Sequence, residues 1–153
     1  MYQYQVRDLA LELMGKHGLL EKGWKFELDN AKRRFGYCRY APKIISISKH
    51  LAKLNTEDQV KDTILHEIAH ALAGPRAGHY SKWRYQAMAI GAKPERCYNG
   101  DVVQPPHKWL GTCPNGHETK RMKRMKVACA KCCNEFNHGR FSSDYMFEWK
   151  ENV

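Results

Sequence analysis

No apolar run in this sequence approaches the roughly 20 residues that a membrane-spanning helix needs, which argues against a transmembrane segment. The opening residues, Met1-Tyr2-Gln3-Tyr4-Gln5, lack both the basic stretch and the apolar stretch of a secretory signal. A cytoplasmic location, where thiols stay reduced, is the expectation that follows. Internal repeats and low-complexity tracts are absent as well. Cysteine is sparse through the first two-thirds, with only Cys38 and Cys97, while the other four crowd into the last third. Acidic residues are also in short supply: 16 Asp plus Glu face 26 Lys plus Arg, a net charge of +10. An excess of that size favours encounter with polyanions, and DNA is the expected partner.

What is present suits a globular chain. Its 153 residues are 42% apolar and include eight Tyr and four Trp, enough to bury a core without disulfides. One domain, or one domain plus a small appendage, fits the length. Val6, Leu9, Ala10, Leu13 and Met14 recur at helical spacing, and Gly15 and Gly18 close that helix. Trp24, Phe26 and Leu28 alternate with Lys25 and Glu27, which is strand periodicity, and Asp29-Asn30 suits a turn. Phe35 to Tyr40 and Lys43 to Ser48 read as two more strands, so a small antiparallel sheet is expected. Thr56-Glu57-Asp58-Gln59 is a capping box opening a helix that runs to Ala73, before Gly74-Pro75. Ser81 is read as the cap of a further helix with Trp83, Ala87 and Ile90 on one face. Gln104-Pro105-Pro106 reads as a stiff linker.

The chemistry sits on the second long helix. His66-Glu67-Ile68-Ala69-His70 fits H-E-x-x-H, and residues four apart on a helix share a face, so two imidazoles can converge on one metal. Val60, Ile64, Ile68, Ala71 and Leu72 form an apolar stripe, and at about 100° per residue His66 and His70 fall roughly opposite its centre. Glu67 lies too far round for a ligand but is placed to act as general base. Zinc lowers the pKa of a coordinated water to about 7, and a carboxylate beside it can take the proton. Catalytic zinc usually has three protein ligands. His79 is the favoured third, with room for the chain to turn back after Gly74-Pro75 and Gly78; Glu95 and His107 compete with it. Tyr80, Tyr85 and His107 are conceivable stabilisers of an oxyanion.

From His66 to Trp83 the pattern resembles the SprT-like family, which includes the Spartan proteases. The matching features are H-E-x-x-H, a glycine-bearing loop, a third histidine and an aromatic four residues later. Family members usually read H-G-x-x-F at the third histidine, whereas this chain has His79-Tyr80-Ser81-Lys82-Trp83. The resemblance implies an α+β fold with a compact zincin-like core over residues 1–104, ligated by His66, His70 and His79 with Glu67 as base. For the Spartan branch it also implies proteolysis of proteins attached to DNA.

Residues 105–153 look like a zinc-ribbon module. Cys113-Pro114-Asn115-Gly116-His117 and Cys129-Ala130-Lys131-Cys132 form two ligand pairs, with His117 standing in where a second cysteine is usual. Cys133 competes with Cys132. Cys38, within a strand, reads as a core residue, and Cys97 is open. Two zinc ions are therefore expected, one catalytic and one structural. Between the pairs, Lys120, Arg121, Lys123, Arg124 and Lys126 are expected to form a phosphate-binding hairpin. Phe136, Phe141, Tyr145, Phe147 and Trp149 read mostly as core, with base stacking as the other option. Two other functions compete with a zinc endopeptidase: a nucleic-acid-binding zinc protein whose H-E-x-x-H site is structural, and a metal-dependent nuclease.

Overall fold

In the computed structural model, which describes residues 1–95 and 102–153, the chain divides into two compact units, Met1–Pro105 and Pro106–Val153. The first is built from α1 (Gln3–Lys16), β1 (Lys25–Asp29), β2 (Gly36–Tyr40), β3 (Lys43–Ser48), α2 (Lys49–Leu54), α3 (Glu57–Ala73) and α4 (Ser81–Ile90). The second holds β4 (Trp109–Thr112), β5 (Glu118–Arg121), α5 (Ala130–Phe136) and β6 (Glu148–Glu151). The class is α+β.

The sheet of the first unit corrects the expectation of an antiparallel arrangement. Its order is β1-β3-β2, with β1 parallel to β3 and β2 antiparallel to it. The cause lies in β3, the most apolar strand: Ile45 and Ile47 are fully buried, and Ser46 and Ser48 are buried on the other side. Such a strand belongs in the middle. The β1–β2 connection therefore spans the slot that β3 fills. It is tied there by Ser48, whose Oγ donates to the carbonyl of Ala31 (2.6 Å) and whose N–H donates to Phe35 (2.8 Å). The Ser48 hydroxyl also accepts from Leu51 N, starting α2, a helix the sequence patterning did not foretell.

The helices follow their periodicity. Val6, Ala10, Leu13 and Met14 of α1 are buried, as are Val60, Ile64 and Ile68 of α3, while Ala71 and Leu72 pack partly buried at the edge of that core. The expected capping box is formed: Gln59 N donates to Thr56 Oγ1 (3.2 Å) and Thr56 N to Gln59 Oε1 (2.9 Å). Gly74 ends α3 at φ 94°, a conformation that L side chains rarely adopt. Ser81 is not the cap of α4; Tyr80 holds that position, with no side-chain capping bond.

In the second unit β4 is central, flanked by β5 and β6, both antiparallel. The turn between β4 and β5 carries Cys113 to His117, so the first ligand pair sits at the tip of that hairpin. The basic run does not form the hairpin: Lys120 and Arg121 end β5, and Lys123, Arg124 and Lys126 lie in the connection beyond it. Tyr145 and Phe147 pack on the buried cysteines, but Phe136 and Phe141 are exposed, correcting the expectation that most of these aromatics are core.

Ile64 tests the core directly. Ile64→Ala should lower unfolding free energy by about 2–5 kcal/mol, the usual cost of truncating a fully buried aliphatic chain. Urea titration measures this; a loss under about 0.5 kcal/mol, typical of a surface site, would place Ile64 outside the core.

Candidate active site and metal centres

Three imidazoles meet at one point. One helical turn of α3 separates His66 from His70, and their rings lie 5.0 Å apart between centroids. His79 reaches them because the chain reverses after Gly74: Ala77 N donates to the Gly74 carbonyl, Tyr80 N donates to the Ala77 carbonyl, and Gly78 takes φ 54°. The His79 Nε2 then lies 3.2 Å from that of His66 and 2.9 Å from that of His70. Protons alone cannot satisfy three ring nitrogens converging on one point, but a cation can. Zn–N bonds of about 2.0–2.1 Å at tetrahedral angles put ligand nitrogens about 3.3 Å apart, close to what is seen. Burial, then the neighbouring imidazoles, lower His66 to about 3 and His70, likewise buried and beside His79, to about 4. Both rings are neutral near pH 7, the form that binds metals. Glu95 and His107 are not in this cluster.

Beneath the three rings lies Trp83, with no exposed surface. Its ring centroid is 4.7 Å from that of His66, 5.0 Å from His79 and 5.4 Å from His70, and its indole N–H donates to the His66 carbonyl at 3.3 Å. The aromatic of the sequence pattern is thus the floor of the cluster.

A cavity of about 370 Å³ opens above it, lined by His66, Glu67, His70 and His79 on one side and by Gly36, Tyr37, Cys38 and Tyr40 of β2 on the other. Glu67 is buried, at 7% exposure, and burial pushes its carboxyl up to about 8, with Arg34 pulling the other way. Cys38 packs partly buried against the core, as expected, and also lines the cavity. Burial first, then the charge of Glu67, push its thiol up to about 12, so it stays protonated and is a poor nucleophile. Tyr80 and Tyr85 are 81% and 73% exposed, and neither lines the cavity. Tyr40 does, and its hydroxyl donates to the carbonyls of His70 (3.1 Å) and Gly74 (3.4 Å), clamping β2 to the end of α3. Gly36, Cys38 and Tyr40 share one face of the strand. That period of two is the only sequence signal for this wall, and a glycine and a thiol on it carry no motif. Cys97 lies outside the described residues.

The second unit gathers Cys113, His117, Cys129 and Cys132. The Nδ1 of His117 is 3.4 Å from the sulfurs of Cys113 and Cys129 and 3.3 Å from that of Cys132, and the Cys113 and Cys132 sulfurs are 3.8 Å apart. Zn–S bonds of about 2.3 Å at tetrahedral angles require sulfurs about 3.8 Å apart, so this set fits one closed ion. Cys133 is buried but outside the cluster. Burial raises the Cys113 thiol, yet hydrogen bonds from the backbones of His117 and Asn115 outweigh it and hold the group at about 7. Asn115, in the usual position of a cysteine, donates to the Cys132 sulfur at 3.3 Å.

An H-E-x-x-H helix closed by a third imidazole, with a buried carboxylate beside it in an open cavity, defines the metallopeptidase class. The chain belongs to the SprT-like family, whose pattern matches residues 9–102 and so includes α3, the His79 loop and the β2 wall. Its backbone is also similar to that of the metallopeptidase zymogen jannalysin from Methanocaldococcus jannaschii. Identity there is 17% and the TM-score 0.48, over 55% of this chain and 79% of that one.

The two clusters should be separable. Replacing Cys113 and Cys129 together with serine should remove one zinc equivalent and unfold the second unit, since a small metal module folds with its ion. Metal analysis with circular dichroism reads this out, and loss of both metals or of neither would contradict it.

Proposed function

We propose that this chain is a zinc-dependent endopeptidase acting on proteins associated with DNA, with a second, structural zinc in a ribbon-like tail. The observation that carries the reading is Glu67: a buried carboxylate facing the same cavity as three converging imidazoles. A purely structural metal site has no use for that group or for an open cavity beside it. His66, His70 and His79 would hold the zinc. When bound, that ion supplies Lewis acidity, polarising the scissile carbonyl and acidifying the attacking water. Glu67 takes the proton from that water on its carboxylate and then delivers it to the leaving amine. Tyr40 and Trp83 keep the imidazoles in register through the His70 and His66 carbonyls. The β2 wall excludes bulk water from one side.

The DNA part of the proposal rests on charge. Lys120, Arg121, Lys123, Arg124 and Lys126 are all exposed; Glu118 is the one acid near them in sequence, and Glu148 and Glu151 lie across β4 on β6. Arg124 stacks over Trp109 with its guanidinium 4.7 Å from the ring centroid, which fixes one of these cations on the sheet. No helix among the described residues is long and apolar enough to cross a membrane. The location proposed is cytoplasmic, on or near DNA.

Two experiments test this. Glu67→Gln should keep the zinc of the helix site and the fold, yet lower cleavage of a DNA-bound protein at least about a hundredfold, as expected for loss of a general base. His66→Ala should lose that zinc and the activity together. Cleavage by the Gln variant at the parent rate would end the peptidase reading. Separately, Lys123→Glu with Arg124→Glu should weaken DNA binding about equally for unrelated sequences and flatten its salt dependence. Unchanged binding in a fluorescence titration would remove the tail's basic run as the contact.

A further inference from the structure

The cavity wall contains a residue whose only chemistry is the atom it lacks. Gly36 begins β2 and pairs with Ile47 of β3. A Cβ placed on it would lie 2.9 Å from Glu67 Oε1, 3.0 Å from Glu67 Cγ and 2.9 Å from Cγ2 of Thr63. Non-bonded heavy atoms normally stay about 3.5–4.0 Å apart, so the two contacts at 2.9 Å force a shift and the one at 3.0 Å is tight. The strand backbone therefore runs directly against the side chain of Glu67.

The two neighbours differ in how they can yield. Thr63, one turn before Glu67 on α3, is buried, and its hydroxyl donates to the Gln59 carbonyl at 2.8 Å. That bond fixes its rotamer, so its methyl cannot swing aside cheaply. The Glu67 carboxylate is instead the far end of a longer side chain with more rotatable bonds. A methyl on Gly36 would therefore push the carboxylate, and displacement of a reacting group by even about 1 Å can cost two orders of magnitude in rate. Glycine inside a strand weakens the strand, and it is tolerated where another group must approach the backbone closely.

We propose that Gly36 is a positioning residue for Glu67: by leaving a slot in the β2 wall, it sets where the general base stands relative to the three histidines. The assignment rests on the peptidase reading above and adds a determinant outside the H-E-x-x-H helix. It also accounts for the face of β2 that meets α3, where Gly36 precedes Cys38 and Tyr40, both larger.

The test uses the zinc-loaded full chain as the parent and as three variants: Gly36→Ala, Thr63→Ala, and both together. Thr63→Ala removes the methyl that Gly36→Ala would strike, but leaves the overlap with Glu67. Thr63→Ala alone should keep kcat within about twofold of the parent, because Thr63 does not line the cavity. The double variant should regain the melting temperature lost in Gly36→Ala and keep full zinc, with KM near the parent value. Its kcat should remain at least about tenfold down, since the base is still displaced. Recovery of kcat along with the melting temperature would overturn the proposal, showing that the glycine serves packing alone. Loss of zinc would overturn it too, because the effect would then run through the metal. A crystal structure of the double variant gives a readout independent of hydrolysis: a shifted Glu67 carboxylate supports the proposal, whereas an unmoved carboxylate with a displaced β2 contradicts it. If the parent itself cleaves nothing, the peptidase reading fails, and that structure still decides the positioning role.

Discussion

Three ring nitrogens converging, with that of His79 about 3 Å from each of the other two, repel or frustrate one another unless a cation sits among them. Everything around the cluster can be understood as holding that unfavourable convergence in place. The capping box and the buried stripe of α3 fix the helix that carries two of the rings. Tyr40 ties the carbonyl of His70 to the sheet, and Trp83 ties the carbonyl of His66 while filling the space under all three imidazoles. The turn after Gly74 returns the third. A preorganised set of ligands lowers the ordering cost of binding an ion, so rigidity here is affinity.

The same rigid frame sets the second requirement, a carboxylate kept out of water. Glu67 is one residue from His66 and three from His70, which turns it away from the ligand face and towards β2. There the close backbone of Gly36 confines it, and burial raises its proton affinity. A bound divalent cation would oppose that shift, because positive charge favours the ionised form. Burial and cation together would leave the carboxylate poised between holding a proton and releasing it, which suits a group proposed both to accept and to return one.

Much of this was legible in the chain. The capping box, the stripe, the spacing of His66 and His70 on α3 and that of Trp83 and Ala87 on α4 are local features with a fixed period, and each appears where the period puts it. His79 was accessible because glycines and a proline mark a reversal. The tail ligands were accessible from cysteine spacing, including Asn115 in place of a thiol. Strand order was not, because three short strands give no signal of which one lies in the middle until burial on both faces of β3 is known. Gly36, Cys38 and Tyr40 escaped for a related reason: their role depends on which helix the β2 face meets, a tertiary fact. The exposure of Phe136 and Phe141 follows from a core that the buried cysteines already fill with Tyr145 and Phe147.

If the histidine cluster is a metal centre distinct from the cysteine cluster, each should hold its own zinc. Anomalous diffraction at the zinc edge, on crystals of the full chain purified without added chelator, would show this. Two peaks are expected, one equidistant from the Nε2 atoms of His66, His70 and His79, and one inside the Cys113, His117, Cys129 and Cys132 set. A single peak at the cysteines, with the three imidazoles splayed apart, would contradict it.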